Sequence, residues 1–290
     1  MDKNELSALI SLLDDPDENV FFHIREKLLS LGQEIIPILE DAWEHSFDSL
    51  IQQRIENIIH KIQFEKIARE LKEWAKPEHQ QLLEGALLIA RYQYPDLDQE
   101  KVYKAIDRMQ QDVWLEINNK LTAFEKVRII NHIIFDVHGF SGNTTNFHAP
   151  QNSFINNVIE SKKGNPLSLS IIYTIVAQNL KIPIYGVNLP EHFILAYRDE
   201  GSLLPVLAND STDRVLFYIN PFSKGSVFSR KEIDAFLKQL KLNPDASFYE
   251  PCSNLEILKR LLRNLIQSYE KLGYPHKSEE LELLLNSLSN

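Results

Sequence analysis

The sequence predicts a predominantly helical α+β protein, and three observations carry that expectation. Apolar residues recur at helical spacing through the first 138 residues. Between Gly164 and Asn220 the pattern changes to short, nearly continuous apolar runs, "IPIYGVNL", "HFILAY" and "RVLFYIN", which read as buried antiparallel strands. Beyond residue 249 two amphipathic helical stretches follow. The chain has 290 residues, enough for two or three domains with a real core.

Charge and cysteine usage narrow the function classes. The formal net charge of −10 and a pI near 5.4 argue against a nucleic-acid binder, which needs a basic face. The basic patches are short: Lys162-Lys163, Arg230-Lys231 and Lys259-Arg260. One cysteine, Cys252, leaves no internal disulfide and no cysteine-based metal cluster. The N-terminus is polar and then amphipathic, unlike a signal peptide, and no apolar run approaches a membrane span. A cytoplasmic location is expected, with no membrane partner.

Taken in order, Leu6, Leu9, Ile10 and Leu13 form one helical stripe, and Asp14-Asp15-Pro16-Asp17 breaks it. Val20, Ile24, Leu28 and Leu31 form the next, stopped at Gly32. Pro37 sits in the opening of a third helix, where a missing N–H costs little. This grammar resembles a HEAT-type helical repeat, with a degenerate second unit over 33–63. Helical spacing continues in "LLEGALLIARY" and "FEKVRIINHIIFDVHGF"; Trp43, Trp74 and Trp114 lie on such stripes and read as core. "GFSGNTTNFHAPQN" is a loop by its Gly, Asn and Pro content, and residues 153–161 a short helix. "GSLLPVLAND" is a weaker strand candidate, and 230–240 returns to helix. In "SNLEILKRLLRNLIQSYEKLG", Leu255, Leu258, Leu261, Leu262, Leu265 and Tyr269 form a stripe that Gly273 ends. With "HKSEELELLLNSL" it resembles one tetratricopeptide-like hairpin, which must bury its stripe on the preceding core.

The middle of the chain resembles the transglutaminase-like superfamily, of papain-like fold. Enzymes of that superfamily carry a Gly-x-Cys motif at a helix start, a turn into a strand, a histidine opening the next strand and an Asp or Asn ending the one after. Gly164-Asn165-Pro166, Lys181-Ile182-Pro183, His192 and Asn220 take those places in the same order. The blocks "GFSGN", "NSFINNVIESKKGNPLSLS", "GVNLPEHF" and "INPF" are similar to a bacterial subfamily with tetratricopeptide-type tails and a degenerate active site. The resemblance implies domains at 1–63 (HEAT-like), 64–248 (transglutaminase-like core with a small antiparallel sheet) and 249–290 (helical hairpin).

The residues then decide what chemistry is open. A thiolate at a helix N-terminus is favoured by the dipole and free N–H groups. Pro166 offers neither a nucleophile nor an N–H; it reads as the first helical residue after an Asn165 cap. Helix geometry of about 100° and 1.5 Å per residue puts Ser168 on the opposite face and Ser170 about 6 Å further along. Cys252 precedes a capping box formed by Ser253 and Glu256 and reads as a staple residue packing on Ile257. His192 and Asn220 fit an amide-oriented imidazole, or else a buried histidine satisfied by backbone groups. His132, His138 and His148 match no metal spacing. The expectation is therefore a non-catalytic interaction or regulatory protein with a protein or peptide partner, no cofactor and no metal. The alternative is a hydrolase or acyl transferase using His192 with an atypical nucleophile such as Ser168 or Ser170.

Overall fold

A computed structural model describes residues 3–199 and 214–288. The strand candidate "GSLLPVLAND" lies outside the described residues. The chain divides into two compact units, Met1–Glu70 and Leu71–Asn290.

The first unit holds α1 (Lys3–Ser11), α2 (Glu18–Leu31), α3 (Ile36–His45) and α4 (Ser49–Trp74) as far as Glu70. Asp17 caps α2 by accepting the Asn19 N–H at 2.9 Å. Gly32 ends α2 at φ 68°, where a side chain would be strained, and Pro37 stands in the first turn of α3. Leu13, Leu28, Leu39, Ile55 and Ile58 form the core between these helices. Arg54 of α4 fixes the Asp-Pro turn: its guanidinium donates to the carbonyls of Leu13 (2.7 Å) and Asp15 (3.0 Å), pairs with Glu18 at 3.0 Å and lies over the Phe21 ring. α4 runs unbroken through residues 63 and 64, because nothing between Ser49 and Trp74 is a glycine or proline.

The second unit opens with α5 (Leu82–Gln93), α6 (Gln99–Glu116) and α7 (Ala123–Asn131), the last passing into a π-helical turn at His132–Val137. Two-residue strands β1 (Ser141–Gly142) and β2 (Lys163–Gly164) pair in parallel, on either side of α8 (Ile155–Ser161). Then come α9 (Pro166–Asn179), β3 (Ile184–Val187), β4 (Ile194–Arg198), β5 (Val215–Asn220), β6 (Ser226–Phe228), α10 (Arg230–Gln239), α11 (Asn254–Leu272) and α12 (Pro275–Ser287). The four later strands form an antiparallel sheet in sequence order, with Leu195 opposite Ile219 and Val187 opposite Ile194. Alternation splits the residues of β4. Ile194 and Ala196 join Ile233 and Leu237 of α10, while α9 packs on the opposite face of β3 and β4. The helical α+β expectation and all three strand assignments agree with this architecture.

Three expectations need correction. Trp74 is buried, but Trp114 is 67% exposed and Trp43 38% exposed. Trp114 stands one residue, about 100°, beyond Val113 at the edge of the buried stripe of α6, and Trp43 turns its indole N–H to Glu56 at 2.9 Å. The capping box at α11 is half formed. Ser253 accepts the Glu256 N–H at 3.2 Å, but the Glu256 carboxylate is drawn to Lys259 at 3.0 Å. Cys252 follows the core motif by some distance in the chain, which suggests a residue of the tail alone, yet its N–H donates to the Gly186 carbonyl of β3 at 2.8 Å. That bond and the apolar stripe of α11, packed on α5 and α9, dock the C-terminal hairpin on the core.

Candidate functional site

The start of α9 is fixed by reciprocal capping. Asn165 Oδ1 accepts the Ser168 N–H at 2.8 Å, and Ser168 Oγ accepts the Asn165 N–H at 3.0 Å. Asn165 Nδ2 donates to Ser153 Oγ at 3.0 Å. Pro166 is the first helical residue. The hydroxyl of Ser168 approaches so closely that a Cβ on Gly164 would lie 2.6 Å from it, which is why glycine precedes the cap. Ser170, fully buried, donates back to the Pro166 carbonyl at 2.7 Å. Both candidate serines are thus bonded to the helix they sit on.

The sheet brings the other two residues to the same end. α9 leads by a short turn into β3, so the 188–193 loop returns to the start of α9, and the β4–β5 register carries Asn220 there too. His192 is exposed, with its ring 4.8 Å from that of Phe236 on α10. No hydrogen bond to its imidazole occurs among the described residues. Asn220 spends its Oδ1 on its own turn, accepting the N–H groups of Phe222 (3.1 Å) and Ser223 (3.4 Å). Pro166 and His192 line one cleft of about 200 Å³, and Asn220 is not among its lining residues. The order of elements and the meeting of helix start and histidine at one cleft are those expected of a papain-like core.

The family model described as "Transglutaminase-like superfamily" matches residues 100–263. This chain belongs to the transglutaminase-like superfamily. It is 32% identical over 194 residues to a UPF0162 protein of Xylella fastidiosa, a match covering 65% of this chain and 64% of that protein. A UPF0162 protein of Pseudomonas aeruginosa is 26% identical, with 67% of each chain covered. F-box only protein 21 of Mus musculus is 28% identical over 161 residues, 55% of this chain and 24% of that protein. The chain therefore spans just under two thirds of the first of these relatives and a quarter of the last. No solved structure matches.

Within this transglutaminase-like core the cleft is walled on one side by residues 191–193 and on another by Phe147 and His148. The His148 ring meets Phe147 edge-on at 5.2 Å, and Phe147 packs on Phe222 at 5.8 Å. The remaining wall is α11, which contributes Arg260, Asn264, Gln267, Ser268 and Lys271. These follow one another at i, i+4, i+7, i+8 and i+11, a single helical face beside the buried apolar stripe. Only the apolar stripe is legible as structure from the sequence; the polar face gains meaning once the hairpin is seen to dock beside α9. Arg260 is half-buried and donates to Asn188 Oδ1 at 3.1 Å; burial, reinforced by nearby Arg263, pushes its pKa down.

The remaining candidates lie elsewhere. His138 Nε2 is 2.8 Å from Asp112 and His132 Nδ1 is 3.3 Å from Asp136. No group of three His, Cys, Asp or Glu able to hold a metal occurs among the described residues. Burial pushes the Cys252 thiol up to about 12. Fully buried Tyr173 of α9 donates to Asn131 Oδ1 at 3.0 Å, and Asn131 donates to the Gly225 carbonyl, tying α9 to the β5–β6 turn. No described helix is long and apolar enough to cross a membrane.

Proposed function

We propose that this protein is a non-catalytic interaction protein of the cytoplasm, which uses the cleft over the start of α9 to bind a protein or peptide segment. The observation that carries this reading is the chemistry at the helix start. Pro166 stands where the superfamily resemblance puts the cysteine, and the Ser168 and Ser170 hydroxyls are consumed by helix-internal hydrogen bonds. An activated nucleophile needs a base within hydrogen-bond reach and a third group orienting that base. Here the imidazole rests on Phe236 and the amide of Asn220 serves its own turn. The cleft keeps what binding needs: concavity, an apolar rim at Phe147 and Phe193, and several polar side chains converging from α11.

The test is turnover. Hydrolytic and acyl-transfer assays on ester and amide substrates are expected to give the same background for the wild type and His192→Ala. Turnover that disappears in Ser168→Ala, Ser170→Ala or His192→Ala would establish the hydrolase or acyl-transferase reading instead.

A further inference from the structure

The geometry points to a carboxylate as the group this cleft receives, carried by a peptide and seated between Arg260 and Asn264 of α11 beside His192. The proposal rests on the reading of the site as a binding cleft and adds the chemistry of what it binds.

Three observations carry it. First, Arg260 is a half-buried cation with no ion-pair partner among the described residues. Among the described residues its one polar contact is an N–H donated to the Asn188 amide oxygen at 3.1 Å. Its neighbour Lys259, on the same helix, is paired with Glu256 at 3.0 Å, whereas Arg260 lines the cleft. A guanidinium has five donors in a planar fork that matches a carboxylate, and a partly desolvated one gains most from such a partner. Second, the groups converging with it are of the same kind. Lys271 lies further along the same face, His192 and His148 can each donate a ring N–H, and the Asn264 amide has no hydrogen-bond partner among the described residues. Glu191 is the one carboxylate of the lining; it is exposed, on the loop that turns at φ 60°. Third, the cleft runs against the charge of the molecule. A chain of net charge −10 repels acidic ligands at long range, but that repulsion is screened beyond about 10 Å at ordinary salt, whereas contacts inside the cleft are not. A volume of about 200 Å³ admits one side chain or a chain end rather than a folded surface. The carboxylate could belong to an Asp or Glu side chain or to a free C-terminus, and the recognition chemistry is the same.

The test uses the full chain and two random heptapeptide libraries, one with free C-termini and one amidated, selected in parallel on the wild type, Arg260→Gln and Lys271→Gln. The expected result is enrichment of Asp or Glu in peptides selected by the wild type from either library. Peptides recovered only from the library with free C-termini, without need of Asp or Glu and weakened by the variants, would assign the carboxylate to the chain end. Selected peptides should bind Arg260→Gln at least about tenfold more weakly, the effect of losing a charged hydrogen bond, and binding should weaken as salt rises. Lys271 is exposed, so Lys271→Gln should fold normally and weaken binding by a smaller factor; it keeps the test valid if Arg260→Gln is unstable. Selected peptides without acid preference, bound equally by the variants, would overturn the carboxylate while leaving a binding cleft in place. No selected peptide at all would overturn the proposal too, and the turnover assays would then decide separately whether the site is catalytic.

Discussion

Ser168→Ala separates a structural hydroxyl from a catalytic one. In the wild type Ser168 is 3% exposed and its hydroxyl makes two hydrogen bonds, accepting the Asn165 N–H at 3.0 Å and donating to the Asn165 carbonyl at 3.3 Å. The variant leaves a buried backbone N–H without its acceptor, which costs about 1–3 kcal/mol. The other half of the cap, Asn165 Oδ1 to the Ser168 N–H, survives, so the helix start should persist. For a unit of this size about 1 kcal/mol moves the melting temperature by roughly 2–4 °C, so melting should fall by roughly 2–12 °C. Urea and thermal unfolding followed by circular dichroism measure the loss, and peptide binding measured in parallel should be unchanged. A Ser168→Ala protein as stable as the wild type that had lost a chemical activity would refute the reasoning, because only a nucleophile behaves that way.

Other outcomes follow from the same contacts. Gly85→Ala should destabilise by about 1–3 kcal/mol in chemical unfolding although alanine is the better helix former, because the added methyl would meet Leu258 at 2.5 Å and the Trp74 ring at 2.8 Å; a stabilised variant would contradict the docking of α11 on α5. The Cys252 thiol, held near 12 by burial, should alkylate at pH 8 on the order of a hundredfold more slowly in the folded protein than in urea, and equal rates would show the thiol is accessible. Thr122, through its backbone N–H and then its hydroxyl, holds the Glu125 carboxyl below the usual glutamate range. The contribution of that α7 cap is present above the unfolded pKa and is lost as pH falls through the depressed folded value; a carbon-detected NMR titration of Glu125 should show the lowered midpoint, and Thr122→Ala, which removes the hydroxyl but keeps the backbone N–H, should reverse the lowering only in part.

The parts of this fold legible in sequence are those where burial leaves a pattern. β3 and β4 stand out because both faces of the sheet are covered there, by α9 and α10, so their residues are nearly all apolar; β5 is as apolar in sequence although only Tyr218 and Ile219 of it are buried. Asn165, Pro166 and Gly32 announce a helix start and a stop because each has a specific backbone role. β1, β2 and β6 are two or three residues long and carry no periodicity to read. The wall that α11 contributes was hidden for another reason: a polar helical face reads as solvated surface until the position of the whole helix is known. Asn220 shows the limit of reading roles by position. It ends β5 at the expected place, yet a proline immediately after it starts a tight turn whose N–H groups claim its side-chain oxygen.

The most direct measurement of the central claim is intact-protein mass spectrometry with peptide mapping after exposure to an activated acyl ester and, separately, to a fluorophosphonate. With Pro166 at the helix start and both serines bonded internally, the peptide spanning Gly164 to Ser170 should remain unmodified in the folded protein. A stoichiometric adduct on Ser168 or Ser170 that His192→Ala abolishes would contradict the account and make the cleft an active site.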